Sequence, residues 1–190
     1  MQNTKLKKIA IIGAGWFGCH IASELKKEKY KITIFEREDD IFKNGSGNNT
    51  NRLHLGYHYP RSKVTRKMSF DGYQKFISTY PGFSKPLKKN IYAIAKDKSN
   101  MMTSKTFENS IKQSKLKLSN ISLNNIDLIN ITKAYNTNER QIDHKKAKNF
   151  FKKKLKQNLL FKKNIKAIKE INKKFIIDNK TFDYVVNCTW

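Results

Sequence analysis

The sequence predicts an α/β fold in which a mostly parallel sheet is joined to the start of an antiparallel one, and three observations lead to this prediction. First, an apolar strand at residues 8–12, a glycine-rich turn, a helix and a strand at residues 31–36 follow one another closely. This order is typical of parallel strands with a right-handed crossover. Second, alternating strand patterns occupy residues 90–135. Third, a last apolar strand lies at residues 182–188.

The first strand is almost continuously apolar, which is typical of a strand buried on both faces. The helix after it is predicted from residue 16 to about residue 27, because apolar side chains recur there at helical spacing. These side chains are Phe17, Ile21, Ala22 and Leu25. Residues 31–36 are mostly β-branched or aromatic, which favours a second strand.

Periodicity disappears from residue 39 to residue 62, a segment rich in Gly, Asn and His. A loop of this length within a domain is usually functional or disordered, and its histidines, arginines and aromatic residues favour a function. A helix is predicted at residues 63–80, ending before Pro81-Gly82. Its predicted apolar face consists of Met68, Tyr73, Phe76 and Ile77.

The remaining elements are predicted by the same spacing rules. They are strands at residues 91–95 and 130–135, a helix at 103–116, and two hairpin strands at 164–171 and 174–178 around Asn172-Lys173. Asp143 is the expected N-cap of one more helix. The predicted buried face of that helix consists of Ala147, Phe150, Phe151 and Leu155.

The formal net charge of +25 invites a nucleic-acid interpretation, but the kind of basic residue argues against it. Only five of the 40 basic residues are arginines, the side chain that binds bases and phosphates bidentately. Lysine is accompanied here by abundant Asn, Ile and Phe, the residue set that A/T-rich codons encode. We therefore attribute the charge to base composition and expect no nucleic-acid partner.

Two cysteines, Cys19 and Cys188, provide neither a disulfide framework nor the spacing of a metal site. No apolar run approaches the roughly 20 residues that span a bilayer, and the apolar stretch after the basic N-terminus is too short for a signal peptide. Hydrophobic residues make up 38% of the chain, too many for a disordered polyelectrolyte. We expect a cytoplasmic protein with no metal and no membrane span.

The strongest functional signal is Gly13-x-Gly15-x-x-Gly18, which comes after a strand and begins a helix. Gly13 permits the tight turn, Gly15 leaves room for a pyrophosphate, and Gly18 with Ala22 allows close packing of helix on sheet. The helix N-terminus attracts phosphate. Glu36, at the end of the second strand, is placed to accept the hydroxyls of an adenosine ribose. The pattern predicts dinucleotide binding.

The choice of cofactor depends on the segments that come after the fingerprint. Glu36 disfavours a 2′-phosphorylated cofactor, although Arg37 beside it weakens that argument. An NAD-type unit would continue with regular βα repeats, whereas this chain continues with a polar loop and an antiparallel excursion, which favours FAD. An NAD-linked dehydrogenase and a basic nucleic-acid-binding module are the two alternatives.

Four segments resemble the FAD-dependent oxidoreductases of the D-amino-acid oxidase and glycine oxidase superfamily. They are residues 13–18, residues 35–37, the loop Ser46-x-x-Asn49-x-x-Arg52-x-His54, and residues 183–189. The last segment is similar to the family's second nucleotide-contacting strand. The run at residues 52–62 is similar to a bacterial branch of the superfamily.

The resemblance implies a two-domain flavoprotein that oxidises an amine or amino-acid-like small molecule by hydride transfer to the flavin. A discontinuous, Rossmann-like FAD-binding domain would comprise residues 1–85 and 140–190, and residues 86–139 would begin an antiparallel-sheet substrate domain. The cofactor contacts that it implies are Gly13, Ala14, Gly15, Trp16, Phe17, Gly18, Glu36, Arg37, Ser46, Asn49, Arg52, His54 and Thr189. The catalytic residues, the electron acceptor and the oligomeric state are left open.

The chain also departs from the family pattern. Trp190 stands where the family has a glycine after Thr189. Members of the family generally continue for a comparable length, so we expect an N-terminal fragment that is incomplete as a catalyst. His54 and His58 are candidates for contact with the flavin, although a structural hydrogen-bonded role is favoured for both. For Cys19, packing is favoured over a reactive thiol of lowered pKa.

Overall fold

The computed structural model describes residues 6–28, 30–97, 102–122 and 129–189. Four helices are present in this part of the chain: α1 (Trp16–Leu25), α2 (Lys63–Thr79), α3 (Ser104–Gln113) and α4 (His144–Leu155). None of the described helices is both long and apolar enough to cross a membrane. The chain divides into two compact units, the first comprising Met1–Asn49 with His144–Trp190 and the second Thr50–Asp143.

The strands are short and numerous. They are β1 (Lys7–Ile12), β2 (Tyr30–Phe35), β3 (Arg52–Leu53), β4 (Ser84–Pro86), β5 (Ile91–Ala95), β6 (Ser119–Ile121), β7 (Ile131–Asn136), β8 (Arg140–Ile142), β9 (Leu159–Leu160), β10 (Lys169–Ile171), β11 (Lys174–Ile177), β12 (Lys180–Phe182) and β13 (Tyr184–Asn187). The predicted strands at residues 8–12, 31–36, 91–95, 130–135 and 182–188 are confirmed to within one or two residues at each end.

The first unit is built on a parallel sheet in the order β13-β1-β2-β9. Its central strand β1 pairs with β2 on one side and with β13 on the other, which explains why its apolar run is continuous. The core against this sheet consists of Ala10, Ile12, Phe35, Ile177 and Phe182. The predicted parallel sheet is confirmed, with β9 as a short strand that the sequence pattern did not predict.

The antiparallel strands β10, β11 and β12 form a second sheet of the first unit. The predicted turn at Asn172-Lys173 is confirmed, since both residues have positive φ, at 51° and 59°. The predicted first hairpin strand was too long, because residues 164–168 are not in a strand. A second positive-φ pair, Asp178 and Asn179, turns the chain into β12, which was not predicted.

Three large apolar side chains assigned to buried helix faces are exposed instead. Phe17 in α1 is 76% exposed, Met68 in α2 67% and Phe150 in α4 40%. The buried face of α1 consists of the small residues Gly18, Cys19, Ala22 and Ser23. Small side chains let this helix approach the sheet closely, so the face is set by the required distance rather than by hydrophobicity.

The second unit contains two antiparallel sheets, in the orders β3-β8-β4 and β5-β7-β6, together with α2 and α3. Its core consists of Leu55, Tyr57, Phe107, Ile111 and Tyr135. Side-chain caps begin both helices: Ser62 accepts from the Thr65 N–H and Thr103 from the Thr106 N–H. In α2 the buried residue is Arg66, not one of the predicted apolar residues.

The contacts group residues 50–85 and 140–143 with the antiparallel unit, whereas both ranges were predicted to belong to the nucleotide-binding domain. The start of a substrate domain at residues 86–139 is a functional division and stays a prediction. In both divisions one unit is discontinuous along the chain.

The Asp40 carboxylate ties the loop after β2 to α4. It lies 2.9 Å from Lys148 Nζ and 3.1 Å from Lys152 Nζ. Burial alone would raise the pKa of Asp40, but the two lysines and the Ile41 N–H lower it to about 2. A carboxyl whose pKa is lowered by folding contributes stability above its ordinary pKa, and this stability is lost as the pH falls towards the folded value.

We therefore predict that Asp40→Asn lowers the free energy of unfolding by about 1–2 kcal/mol at neutral pH. The loss should shrink as the pH falls from about 4 to about 2. Urea denaturation at several pH values measures it. The matched control is Asp39→Asn, because Asp39 pairs with Lys43 at the exposed surface, and this change should cost at most about 0.5 kcal/mol. Equal costs for the two variants would contradict the assignment.

Candidate dinucleotide-binding site

The glycine-rich turn is a place where backbone segments meet without side chains between them. Gly13 has a φ of 98°, and a methyl group added to it would lie 2.8 Å from the Cys188 carbonyl oxygen. A methyl group on Gly18 would overlap the Gly13 carbonyl oxygen. The Gly13 N–H donates to Phe35 O at 2.8 Å. Two of the three fingerprint glycines are therefore required by the fold itself.

Gly15 differs from these two glycines, because the atom closest to an added methyl group is a side-chain oxygen and not a backbone atom. It is the N-cap of α1 in an extended conformation, with φ −70° and ψ −175°. The Trp16 N–H donates to Ser46 Oγ at 2.8 Å, and a methyl group on Gly15 would lie 3.1 Å from that oxygen. In α1, every residue of which the structure describes, the first turn carries no acidic side chain. The positive end of the helix dipole is thus available to an anion beside a serine hydroxyl.

Glu36 comes directly after β2 and is buried at the carboxyl edge of the parallel sheet. Its Oε2 accepts from the Ala14 N–H at 2.6 Å, and its Oε1 accepts from the Glu38 N–H at 3.0 Å. A carboxylate has about four acceptor positions, so lone pairs are left for the hydroxyls of a ribose. The neighbouring Arg37 is exposed and contacts Glu38 at 3.2 Å.

The end of β13 lies against the same turn. The Cys188 N–H donates to Ile12 O at 2.9 Å, which continues the pairing of β13 with β1. Thr189 is held by Asn187, whose Oδ1 accepts from the Thr189 N–H at 3.0 Å and from its hydroxyl at 2.6 Å. Trp190, the departure from the family pattern, lies outside the described residues.

The loop after β2 carries the other predicted contacts of this unit. Asn49 donates from Nδ2 to Gly45 O at 2.6 Å, and so it stabilises the loop that presents Ser46. Phe42 stacks on Trp16 with ring centroids 5.5 Å apart, which attaches the loop to the start of α1. The structure therefore brings together the fingerprint residues 13–18, Glu36, Ser46 and Thr189 in the first unit.

Cys19 has the packing role that the sequence analysis favoured. Its thiol is fully buried beneath the turn and lies 3.5 Å from Ala14 O. Burial, together with the nearby Glu36 and Cys188, raises the pKa of Cys19 to about 12. The thiol is thus protonated at neutral pH and is not a reactive thiolate.

The predicted contacts Arg52 and His54 belong to the second unit, where His54 contacts a buried residue that was not predicted. His54 Nδ1 lies 3.4 Å from Oε2 of Glu139, a carboxylate that is completely buried. Arg52 acts electrostatically on Tyr92 and His58 in the same cluster. Glu139 lies in a polar stretch with no apolar periodicity, so no local signal indicated its burial.

A turn of this geometry, at the carboxyl edge of a parallel sheet and with an acidic residue after the second strand, defines a dinucleotide-binding α/β protein. Comparison with known proteins identifies the particular family. The family model described as FAD dependent oxidoreductase matches residues 8–189, and the chain belongs to this family. The predicted resemblance, the fold class and the cofactor FAD are confirmed, and FAD is favoured over the NAD-linked alternative.

The chain is also similar to a relative in sequence and to solved structures in fold. The FAD-dependent monooxygenase FPY4 of Fusarium mangiferae is 32% identical over 182 residues, 96% of this chain and 49% of the relative. The reduced L-alpha-glycerophosphate oxidase of Mycoplasma pneumoniae with FAD bound has a TM-score of 0.70 at 18% identity, covering 96% of this chain and 53% of that one. The L-amino acid deaminase of Proteus vulgaris has a TM-score of 0.68 at 11% identity, covering 97% and 47%. The chain spans about half the length of these proteins.

Replacing Gly18 by alanine should destabilise the fold, although helix propensity alone would favour alanine in α1. Gly18→Ala should lower the free energy of unfolding by about 1–3 kcal/mol, because the new methyl group meets the backbone carbonyl of Gly13. The matched control is Gly72→Ala in α2, where no described atom lies within 4 Å of the added methyl group. That change should raise stability by about 0.5–1 kcal/mol. Urea denaturation of both variants measures the difference, and a stabilising Gly18→Ala would contradict the packing described.

Proposed function

We propose that the first unit binds the ADP part of FAD at the carboxyl edge of its parallel sheet, and that the protein is a flavin-dependent oxidoreductase acting on a small molecule. One observation carries this proposal. The N-terminus of α1 lies between the Ser46 hydroxyl, which accepts from the Trp16 N–H, and the buried carboxylate of Glu36, which accepts from the Ala14 N–H. These three features fit a pyrophosphate and a ribose.

Each group has a distinct task in this proposal. The N-terminal N–H groups of α1 bind the pyrophosphate, and Gly15 lets it approach the backbone. Glu36 accepts hydrogen bonds from the adenosine ribose, while the Ala14 N–H keeps its carboxylate in place. The Ser46 hydroxyl, which already accepts from the Trp16 N–H, can donate its own proton to a phosphate oxygen. Bound FAD supplies the hydride acceptor, and the protein positions it.

The proposed substrate carries a C–H bond next to nitrogen or oxygen, as an amine or an amino-acid-like molecule does. Support comes from the fold neighbours, one named as an oxidase of L-alpha-glycerophosphate and the other as a deaminase of L-amino acids. Asn49, Arg52 and His54 are proposed to contribute to cofactor binding and to line the path by which the substrate approaches the flavin.

A second candidate, oxygen insertion, is favoured by the name of the Fusarium relative, an FAD-dependent monooxygenase. The two activities differ in the source of electrons, because an oxidase or dehydrogenase takes them from its substrate, whereas a flavin monooxygenase of the hydroxylase type takes them from NAD(P)H. We predict that anaerobic NADPH or NADH leaves the flavin absorbance of the FAD-loaded protein unchanged at about 450 nm. Rapid bleaching by either nucleotide would favour the monooxygenase.

The cofactor site is tested at Gly15. In Gly15→Ala the new methyl group faces only the Ser46 side chain, so the fold should persist while FAD binding weakens by at least about tenfold. Gly15→Val should abolish FAD binding. Retention of flavin absorbance near 450 nm after gel filtration measures binding, and thermal unfolding checks the fold.

The matched control for this experiment is Gly45→Ala, in the same loop as Ser46. No described atom lies within 4 Å of a methyl group on Gly45, so this variant should keep both its fold and its FAD. Stoichiometric FAD in folded Gly15→Val protein would contradict the proposed site.

A further inference from the structure

The second unit contains a buried carboxylate whose two oxygens are both engaged by hydrogen-bond donors. Glu139 is completely buried. Its Oε1 accepts from the Leu55 N–H at 2.8 Å, while its Oε2 lies 2.9 Å from the Tyr92 hydroxyl and 3.1 Å from Asn90 Nδ2. Oε2 also lies 3.4 Å from His54 Nδ1. Such a carboxylate is an acceptor only, so it dictates which neighbours must donate.

The ionised state of Glu139 is a consequence of these contacts. Burial alone would raise the pKa of its carboxyl, but the hydrogen bonds from His54, Leu55, Tyr92 and Asn90 together hold it below its ordinary value. Burial and the charge of Glu139 raise the pKa of Tyr92, so its hydroxyl keeps its proton at neutral pH. The Tyr92 hydroxyl therefore donates to Glu139 and has only its oxygen to offer to other groups.

The number of available protons then determines the tautomers of the neighbouring residues His54 and His58. His58 Nδ1 forms a hydrogen bond with the Tyr92 hydroxyl, whose single proton is already given to Glu139. His58 must therefore donate from Nδ1–H. His54 faces the carboxylate through Nδ1, so it also carries its proton there. In their neutral forms both imidazoles are left with an unprotonated Nε2.

One histidine of the pair, His58, lines a cavity. The two imidazole rings lie edge to face with centroids 4.2 Å apart, and His54 and His58 both reach solvent. His58 and Tyr92 line a cavity of about 460 Å³, whose other walls include apolar side chains. These are Ile94, Met102 and Phe107. Burial and the neighbouring His54 lower the pKa of His58, and Arg52 adds to this while Glu139 opposes it, so His58 is neutral at neutral pH.

We propose that His54 and His58 form a proton-accepting pair for the hydroxyl or amine of a small-molecule ligand, and that Glu139 is the positioning residue that fixes both tautomers. The role in catalysis rests on the proposed function. When a hydride leaves a carbon that carries O–H or N–H, a C=O or C=N bond forms as the O–H or N–H proton departs. The unprotonated Nε2 takes up that proton, the hydride goes to the oxidised flavin, and charge and atoms balance.

Metal binding is the competing use of the same residues. One ligand atom from each of His54, His58 and Glu139 lies within 4.8 Å of the others. A cation would have to displace donors from Glu139, whose two oxygens are already engaged, and it would meet the nearby positive charge of Arg52. The hydrogen bonds therefore favour a proton network over a metal site.

The test is the tautomeric state of the histidines in the full chain, measured by long-range ¹H–¹⁵N NMR on imidazole-labelled protein without added cofactor. We expect His54 and His58 both to carry the proton on Nδ1 in their neutral forms. Tyr92→Phe should release His58 from this tautomer and leave His54 in it. Glu139→Gln should release both, while His20 and His144 stay unchanged as internal controls.

An Nε2–H tautomer at either histidine of the unmodified protein would overturn the proposal, and this result does not depend on any variant folding. Stoichiometric Zn²⁺ uptake that is lost in Glu139→Gln would overturn it in favour of a metal site. The outcome is independent of FAD. Loss of FAD binding with the expected tautomers would reject the proposed function alone, and bound FAD with other tautomers would reject the proton-accepting pair alone.

Discussion

The first unit depends on a close approach of backbone to backbone at the edge of its parallel sheet. Gly13 lies against the carbonyl of Cys188, and Gly18 lies against the carbonyl of Gly13, with no room for a side chain at either contact. This approach fixes the start of α1 over the ends of β1 and β13. It also explains why the buried face of α1 consists of small residues. The same geometry places the helix N-terminus at the carboxyl edge of the sheet, where we propose that phosphate binds.

The net charge of the chain is large, but surface charges contribute little to the stability of the fold. Basic residues far outnumber acidic ones, and the lysines that do form ion pairs at the surface, such as Lys67 with Asp71, gain little stability from these exposed pairs. The charges that matter are few and enclosed. Glu36, Arg66 and Glu139 are all buried, and each is held by hydrogen bonds from or to the backbone of its own unit. Arg66 and Glu139 also form hydrogen bonds with side chains.

Local sequence patterns correctly predicted the structural features that depend on residues close together in the chain. The fingerprint, the bounds of β5 and α2, and the turn at Asn172-Lys173 depend on spacing and backbone preference, and they are confirmed. The direction of single apolar side chains was predicted less well. Phe17 and Phe150 are exposed because a helix buries the face that fits its neighbour, and hydrophobic spacing does not contain the distance to that neighbour.

Contacts between segments that are distant along the chain could not be predicted from local sequence patterns. β9 has only two residues and exists because it pairs with β2, a partner far away along the chain. Glu139 is buried because Leu55, Asn90 and Tyr92 supply donors from three other segments. In contrast, the placement of Glu36 beside the turn was predictable, since the ends of neighbouring parallel strands meet at one edge.

The proposed binding of the ADP part of FAD at the carboxyl edge of the parallel sheet is tested most directly by an amide NMR titration with ADP. At an ionic strength of about 0.3 M, exposed lysines attract phosphate weakly because their charges are screened. We predict saturable shifts of the amide signals of Gly13, Gly15, Trp16 and Thr189, with those of α4 unchanged. Shifts confined to the lysine-rich α4, or no saturable shift at the turn, would contradict the account.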